Sequence, residues 1–470
     1  MRIRLLRKLA TSRAALGKLT DAEAILEEAQ RIARDASERE EIVPICEFAG
    51  QIQFQLGRRE AAVDALHRGL AMLDDPEQDP RAASLWNNLG VLAFESSSYE
   101  DAQTHHAKSL AIRESCGDVD GISRSLTNLG NVSYVTGNYD EASRKYQAAL
   151  ELKRRLGNGP LVASTLSNLA AIDHLSGRYG RAIRRHEEAL AIRRERDDVA
   201  GEISSLRYLA GVWIDKGSLK NARRAIRDAR ALVETAALHD NVARDVRCME
   251  ARLEWICGRS DRARALARET LSGIQPGRSQ RIRISLLALC AEIDCFAGGD
   301  RGQARFLVRD CLDRCRELSD PARLAEVLVL ASRIELELGD VAFAEKSTRE
   351  VDELARRLQV PLMQTEAHLL LGRIASHECR WEVAADQLHA ALALAIELSV
   401  PEATWRSQAA LGEFHLAQGR RDRALTWLQR AVAVLQSQLE GIQDPELEES
   451  YLAAPERARM LRRLEGLLSG

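Results

Sequence analysis

Aromatic residues make up only 4% of the 470 residues, and proline occurs ten times. A strand-rich fold needs β-branched and aromatic side chains and frequent turn signals, so this scarcity argues against one. No run of 18 or more apolar residues occurs, which leaves no candidate membrane-spanning helix. The opening "MRIRLLRKLATSR" is basic but lacks the apolar stretch of a signal peptide. Charge of one sign is also missing. With 67 basic and 70 acidic residues the formal charge is −3, so nothing resembles the basic excess of a nucleic-acid binder. Arginine-rich runs such as Arg223–Arg230 read as solvated helix faces.

Cysteine is present nine times, yet no CxxC occurs. Cys311 and Cys315 are spaced i, i+4, but no second ligand pair accompanies them, so no metal site is expected. Buried free thiols in a reducing, cytoplasmic compartment fit better. No GxxxxGK[ST], GxSxG or HExxH occurs, and "GGDRG" at 298–302 reads as a turn without a preceding strand. His105 and His106 are adjacent on a helix and so point to different faces. Neither enzymatic activity nor a cofactor is expected.

What the chain has is Ala, Leu, Arg and Glu, all helix formers. It also has a repeat. "SLTNLGNVSYVTGNYDEASRKYQAAL" (125–150) is followed forty residues on by "TLSNLAAIDHLSGRYGRAIRRHEEAL" (165–190). A glycine followed five residues later by alanine recurs at Gly17, Gly57, Gly137, Gly177, Gly217, Gly258, Gly299, Gly339 and Gly419. Ser97 and Cys379 replace the glycine in two further copies and keep Ala102 and Ala384. The eleven alanines are spaced by 40 or 41 residues. Each copy reads as two amphipathic helices, with Leu126, Leu129, Val132 and Val135 at helical spacing on the first. The glycine ends that helix in the left-handed region. Thr20 with Glu23, and Asn138 with Glu141, have capping-box spacing at the second helix. Close crossing of the pair predicts that the alanine faces a small residue on the first helix: Gly90, Gly130, Ala170, Ala210, Gly372 or Gly412.

Trp86, Leu89, Gly90, Tyr99 and Ala102 carry a resemblance to the tetratricopeptide repeat. The period of 40, and "GDVDGISRSLTNLG" at 117–130, are similar to its long variety, found in kinesin light chains, spindle-orientation scaffolds and bacterial regulators. HEAT-type repeats share the period but lack the Gly-turn-Ala signature. The resemblance implies an all-α fold, a right-handed superhelix of about eleven helical hairpins. It covers residues 1–435, with turns near 17, 57, 97, 137, 177, 217, 258, 299, 339, 379 and 419. Residues 436–470 are expected to cap the last repeat, with Leu461, Leu464, Leu467 and Leu468 as the apolar stripe. This tail resembles the end of bacterial signalling proteins in which such arrays follow a kinase or nucleotide-binding domain. No comparable cap precedes repeat one, which suggests a fragment or descendant of a larger regulator, with self-association through that end as an expectation.

In repeats three to five the residue before the Leu-Gly position is asparagine: Asn88, Asn128 and Asn168. Tyr208 holds the place in repeat six, then Met249, Cys290, Leu330, Leu370 and Ala410. The resemblance implies that asparagine here offers its amide to a bound peptide backbone, since one planar group both donates and accepts. Asn87 and Asn131 lie nearby in sequence, and Arg124 and Arg207 could meet acidic side chains. The alternative is that the asparagines only bridge neighbouring repeats. Two functions follow: a scaffold binding a peptide or extended segment in repeats three to six, or the sensor arm of a bacterial signalling or transcription regulator.

Overall fold

The computed structural model describes residues 1–36, 39–236, 240–275, 279–318, 320–440, 442 and 444–469. Among these there are 24 helices and no strand. The chain forms two compact units, Met1–Gly159 and Pro160–Gly470. The N-terminal unit holds α1 (Arg2–Ala15), α2 (Leu19–Asp35), α3 (Arg39–Gln55), α4 (Arg59–Leu70), α5 (Ala82–Glu95), α6 (Tyr99–Cys116), α7 (Val119–Val135) and α8 (Tyr139–Arg155). The C-terminal unit runs through α9 (Gly159–Leu175), α10 (Tyr179–Arg194), α11 (Val199–Asp215), α12 (Leu219–Thr235), α13 (Asp240–Ile256), α14 (Ser260–Ser272), α15 (Gln280–Phe296) and α16 (Arg301–Glu317). It continues with α17 (Pro321–Glu337), α18 (Val341–Leu358), α19 (Pro361–His377), α20 (Trp381–Glu397), α21 (Pro401–Ala417), α22 (Arg421–Leu439), α23 (Pro445–Ala453) and α24 (Pro455–Leu468). Within each unit, the odd helices α1–α7 and α11–α21 pack hardest on the even helix that follows, and neighbouring hairpins pack on one another. This is an all-α solenoid.

Two interleaved sets of left-handed residues set the turns. Within hairpins, Gly17, Gly57, Gly137, Gly177, Gly217, Gly258, Gly339 and Gly419 have positive φ, and Ser97 and Cys379 adopt it where glycine is missing. In the eighth repeat the left-handed residue is Gly298, not Gly299. The extra residue follows the turn, so the small position of α15 is Ala291 and the position two before it is Leu289 rather than Cys290. Between hairpins, Gly117, Gly157, Asp197, Gln359 and Ser399 are also left-handed.

The eleven recurrent alanines are all fully buried. The small residue on the first helix does not chiefly face them, however. A β-carbon on Gly130 would lie 2.6 Å from the Tyr146 ring, and on Gly90 2.6 Å from His106. Gly50 meets Leu66, Gly372 meets Leu388 and Gly412 meets Leu428 in the same way. Each partner sits four residues beyond the alanine, so it is the side chain at that position that crowds the glycine opposite it.

Neither expected capping box forms. Lys18, not Thr20, precedes α2, and Asn138 makes no side-chain cap bond. Glu23 instead accepts from Gln53 and Arg58 of the next hairpin, and Glu141 pairs with Arg144 and Lys145. Where caps do form they are aspartates: Asp118 accepts from the Gly121 N–H at 2.9 Å, and Asp198 from Gly201 at 2.9 Å. The preceding helix supports these caps with a buried cation. Arg113 donates to the Gly121 carbonyl and to Ser125, as Arg193 does to Gly201 and Ser205. These acceptors offset part of the cost of burying the guanidinium, although Arg113 Nε makes no hydrogen bond among the described residues.

All nine cysteines are free thiols. Six are buried, whereas Cys116 and Cys379 are exposed. Burial pushes the Cys311 and Cys315 thiols up to about 12.

Gly130→Ala should destabilise the chain by about 1–3 kcal/mol through overpacking against Tyr146. In a Tyr146→Ala background the same change should cost clearly less, because the clash is with the ring. Urea midpoints of the four chains, read by circular dichroism, measure the coupling.

Candidate peptide-binding surface

In the N-terminal unit, α5 and α7 bring Asn87, Asn88, Asn128 and Asn131 together on neighbouring hairpins. Asn128 Nδ2 donates to Asn87 Oδ1 at 2.9 Å, a bridge between repeats. Asn131 Oδ1 accepts from the Tyr146 hydroxyl at 2.7 Å, which ties the first helix of its hairpin to the second. Burial raises the Tyr146 hydroxyl well above its ordinary value, so it stays a donor. Asn88 differs: its Nδ2 is buried and makes no hydrogen bond within the described residues. Arg124 is exposed and pairs with Asp120 one turn earlier on α7. Trp86, beside Asn87, is fixed by its N–H to the Pro76 carbonyl (2.9 Å), by stacking on His105 (5.4 Å) and by Lys108 over its face (4.5 Å).

In the C-terminal unit, Asn168 is half-buried on α9. On α11, Arg207 lies over the Tyr208 ring at 4.1 Å, and Tyr208 is 40% exposed. Its other neighbour is His186, stacked at 5.3 Å and nearly parallel. These two contacts hold the Tyr208 ring in place.

Sequence reasoning did not find the charged residues one position after the small residue in later repeats: Arg252, Glu292, Arg333, Arg373 and Glu413. This is the register of Asn131. Arg333 donates to Glu292 at 2.6 Å, and Arg252 to Asp215 at 3.0 Å. Burial opposes ionisation of Asp215, but Arg252 and His174 outweigh it and hold the carboxyl below its usual range. The signal was the repeat register itself, blurred by the extra residue at Gly299.

Three tetratricopeptide repeat models match the chain, at residues 121–195, 49–104 and 406–439. This is a tetratricopeptide repeat protein. Repeats of this family generally mediate protein–protein interaction, and the scaffold is typically non-catalytic. No curated protein matches the chain. Among solved structures it is similar to BtubC (BKLC) from P. vanneervenii, at 22% identity over 47% of this chain and 91% of that one, with a TM-score of 0.42. The apo form of RapI is 14% identical over 67% and 98%, with a TM-score of 0.44. A tetratricopeptide repeat protein from Parabacteroides merdae ATCC 43184 is 14% identical over 61% and 99%, with a TM-score of 0.44. Among the described residues no helix is long and apolar enough to cross a membrane, and no group of three His, Cys, Asp or Glu could hold a metal ion.

The repeat core also carries a pH dependence. Burial pushes His106 down to about 4 and His186 to about 3. An unfolded chain takes up a proton near the ordinary 6.5, so between 6.5 and about 4 it binds more protons than the folded one. The stabilisation from neutral His106 is thus complete above that window and falls as pH drops through it, by up to about 1.4 kcal/mol per pH unit. His106→Leu, which places at this position the residue other repeats use, should flatten the stability profile between pH 7 and pH 4. Denaturation at stepped pH, wild type against variant, checks this. Parallel profiles would show that His106 is not the titrating group.

Proposed function

We propose that the chain is a protein-interaction scaffold that holds a peptide or extended protein segment along the first helices of repeats three to six. In the N-terminal unit the surface consists of Asn87, Asn88, Arg124, Asn128 and Asn131. In the C-terminal unit the residues assigned to binding by repeat register are Asn168, Arg207 and Tyr208. The observation that supports this most is Asn88. A buried amide N–H₂ without a partner costs about 1–3 kcal/mol, and turning the half-buried side chain outward would let a peptide carbonyl satisfy it. Asn128 and Asn131 also hold the repeats together, so Asn88 and Asn168 are the better probes of binding.

Extended peptides selected against the wild-type chain from a displayed library should be enriched in Asp and Glu, to meet Arg124 and Arg207. For a selected peptide, Asn88→Ala with Asn168→Ala should weaken binding by about 1–3 kcal/mol, roughly 5- to 150-fold, by calorimetry. Asn128→Ala should instead lower the unfolding midpoint. Undiminished affinity in the double variant would place the peptide elsewhere.

A further inference from the structure

Beyond α22 the chain turns back and lays α23 and α24 against the first helices of its own C-terminal unit. The contact reaches much further than the last repeat. Ser450 donates to the Cys257 carbonyl at 2.9 Å, and Arg457 to that of Ile256 at 2.8 Å. Leu447, Tyr451 and Met460 are buried in a shared core with α11, α13 and α21. Leu461, Leu464 and Leu467 pack against that core, whereas Leu468, expected in the same stripe, is exposed.

α24 is a basic amphipathic helix. It carries Arg457, Arg459, Arg462 and Arg463 against Glu456 and Glu465. The groove beneath it answers with carboxylates from two hairpins, Glu337 of α17 and Glu402 and Glu413 of α21. Arg457 pairs with Glu402 at 3.0 Å, and Arg463 with Glu413 at 3.3 Å. Both guanidinium nitrogens of Arg459 reach both oxygens of Glu337, each at 3.0 Å. The two-pronged geometry is the strong form of this interaction. Glu456 takes the one complementary place, between Arg333 at 3.1 Å and Arg406 at 3.8 Å. Without α24, Glu402 and Glu413 would lose these partners and Glu337 would keep Arg301 at 3.6 Å.

The fit is incomplete. A cavity of about 300 Å³ lies between the tail and α11–α21, lined by Trp255, Phe296, Leu362, Tyr451 and Pro455 among others. A second, of about 420 Å³, opens beside Met460 and Arg463, over Arg373, Trp405 and Phe414. Trp405 Nε1, Glu366 Oε2 and Arg406 Nη2, whose residues line the first cavity, are buried without a hydrogen bond among the described residues. Arg373 has no ion pair among them. The backbones packed closest to α24 are those of α22 and α23; the inner helices reach it through long side chains. A segment that leaves voids and unsatisfied donors owes much of its occupancy to its tether, since a short linker supplies a millimolar effective concentration.

We propose that the groove beneath α24 is a docking site for a basic amphipathic helix of a partner protein, and that the chain's own tail occupies it until displaced. Arginines at the spacing of Arg459 and Arg463 address Glu337 and Glu413, and bulkier apolar side chains than Met460 enter the adjoining cavity. The tail is therefore both a plug and a template for the partner.

The test uses the full chain with Arg459→Glu and Arg463→Glu, two half-exposed positions whose reversal repels the tail from Glu337 and Glu413. The probe is a labelled synthetic peptide of residues 444–468 with the native sequence. Fluorescence anisotropy should show the double variant binding this peptide at least tenfold more tightly than the wild type does. Hydrogen exchange of α24 should accelerate at least tenfold while α13–α21 stay protected. Adding Glu337→Arg and Glu413→Arg should re-seat the tail and abolish peptide binding. Equal binding to wild type and double variant, or binding of a peptide with its arginines replaced by glutamate, would overturn the proposal. So would exchange that spreads through α13–α21, which would make the tail an integral part of the fold. A wild-type chain that dimerises at micromolar concentration by exchanging α24 would assign the groove to a second copy instead.

Discussion

A helix pair has two faces to bury and only one partner of its own. Everything else in this protein follows from that shortage. Within a hairpin, the buried alanine and the small residue opposite the next bulky side chain let two helices approach closely, as Gly130 does for Tyr146. The remaining face of each hairpin is covered by its neighbour, so the forty-residue line has to be written again. Because contacts are local, each repeat can vary its other residues while the crossing is kept. The position opposite a small residue is occupied by His106, Tyr146, Leu388 or Leu428 without change of architecture.

That freedom is spent differently in the two units. On α5 and α7 of the N-terminal unit it produces amides, partly consumed in bridges and partly unsatisfied. In the later repeats of the C-terminal unit the position after the small residue carries charges of both signs, Arg252, Glu292, Arg333, Arg373 and Glu413. Charges of opposite sign at one register on successive hairpins pair across the repeat boundary, as Arg333 does with Glu292. Buried pairs of this kind offset their desolvation only when fully bonded. The tail adds partners to two of these residues, Glu456 on Arg333 and Arg463 on Glu413. The same ionic ladder thus cross-links the repeats and receives α24.

Much of this was legible without coordinates, because it is periodic. A residue type that returns every forty positions reports a constraint that also returns, and the buried alanines are the clearest case. What was misread was local. The pair Gly298–Gly299 offers two left-handed candidates, and only backbone geometry shows that Gly298 takes the turn and Gly299 presses on Asp294. Thr20 and Asn138 had the spacing of a cap, but the glutamates they needed found arginine partners instead. A side chain that can pair with a guanidinium does not wait for a backbone amide.

By itself, then, the sequence determined the helix pairs, their turns and the repeat family, since those depend on residues within about forty positions of one another. Only the tertiary structure decided which asparagines bridge and which are left unsatisfied, because Asn87 and Asn128 meet across a repeat boundary. The tertiary structure also placed the tail. The capping stripe was visible in the leucines of α24, but Arg459 finds Glu337 across 122 residues and Ser450 finds the Cys257 carbonyl across 193. No period links such positions. They come together because successive hairpins curve the C-terminal unit around its own end, and curvature is a sum over many packed interfaces rather than a property of any one repeat.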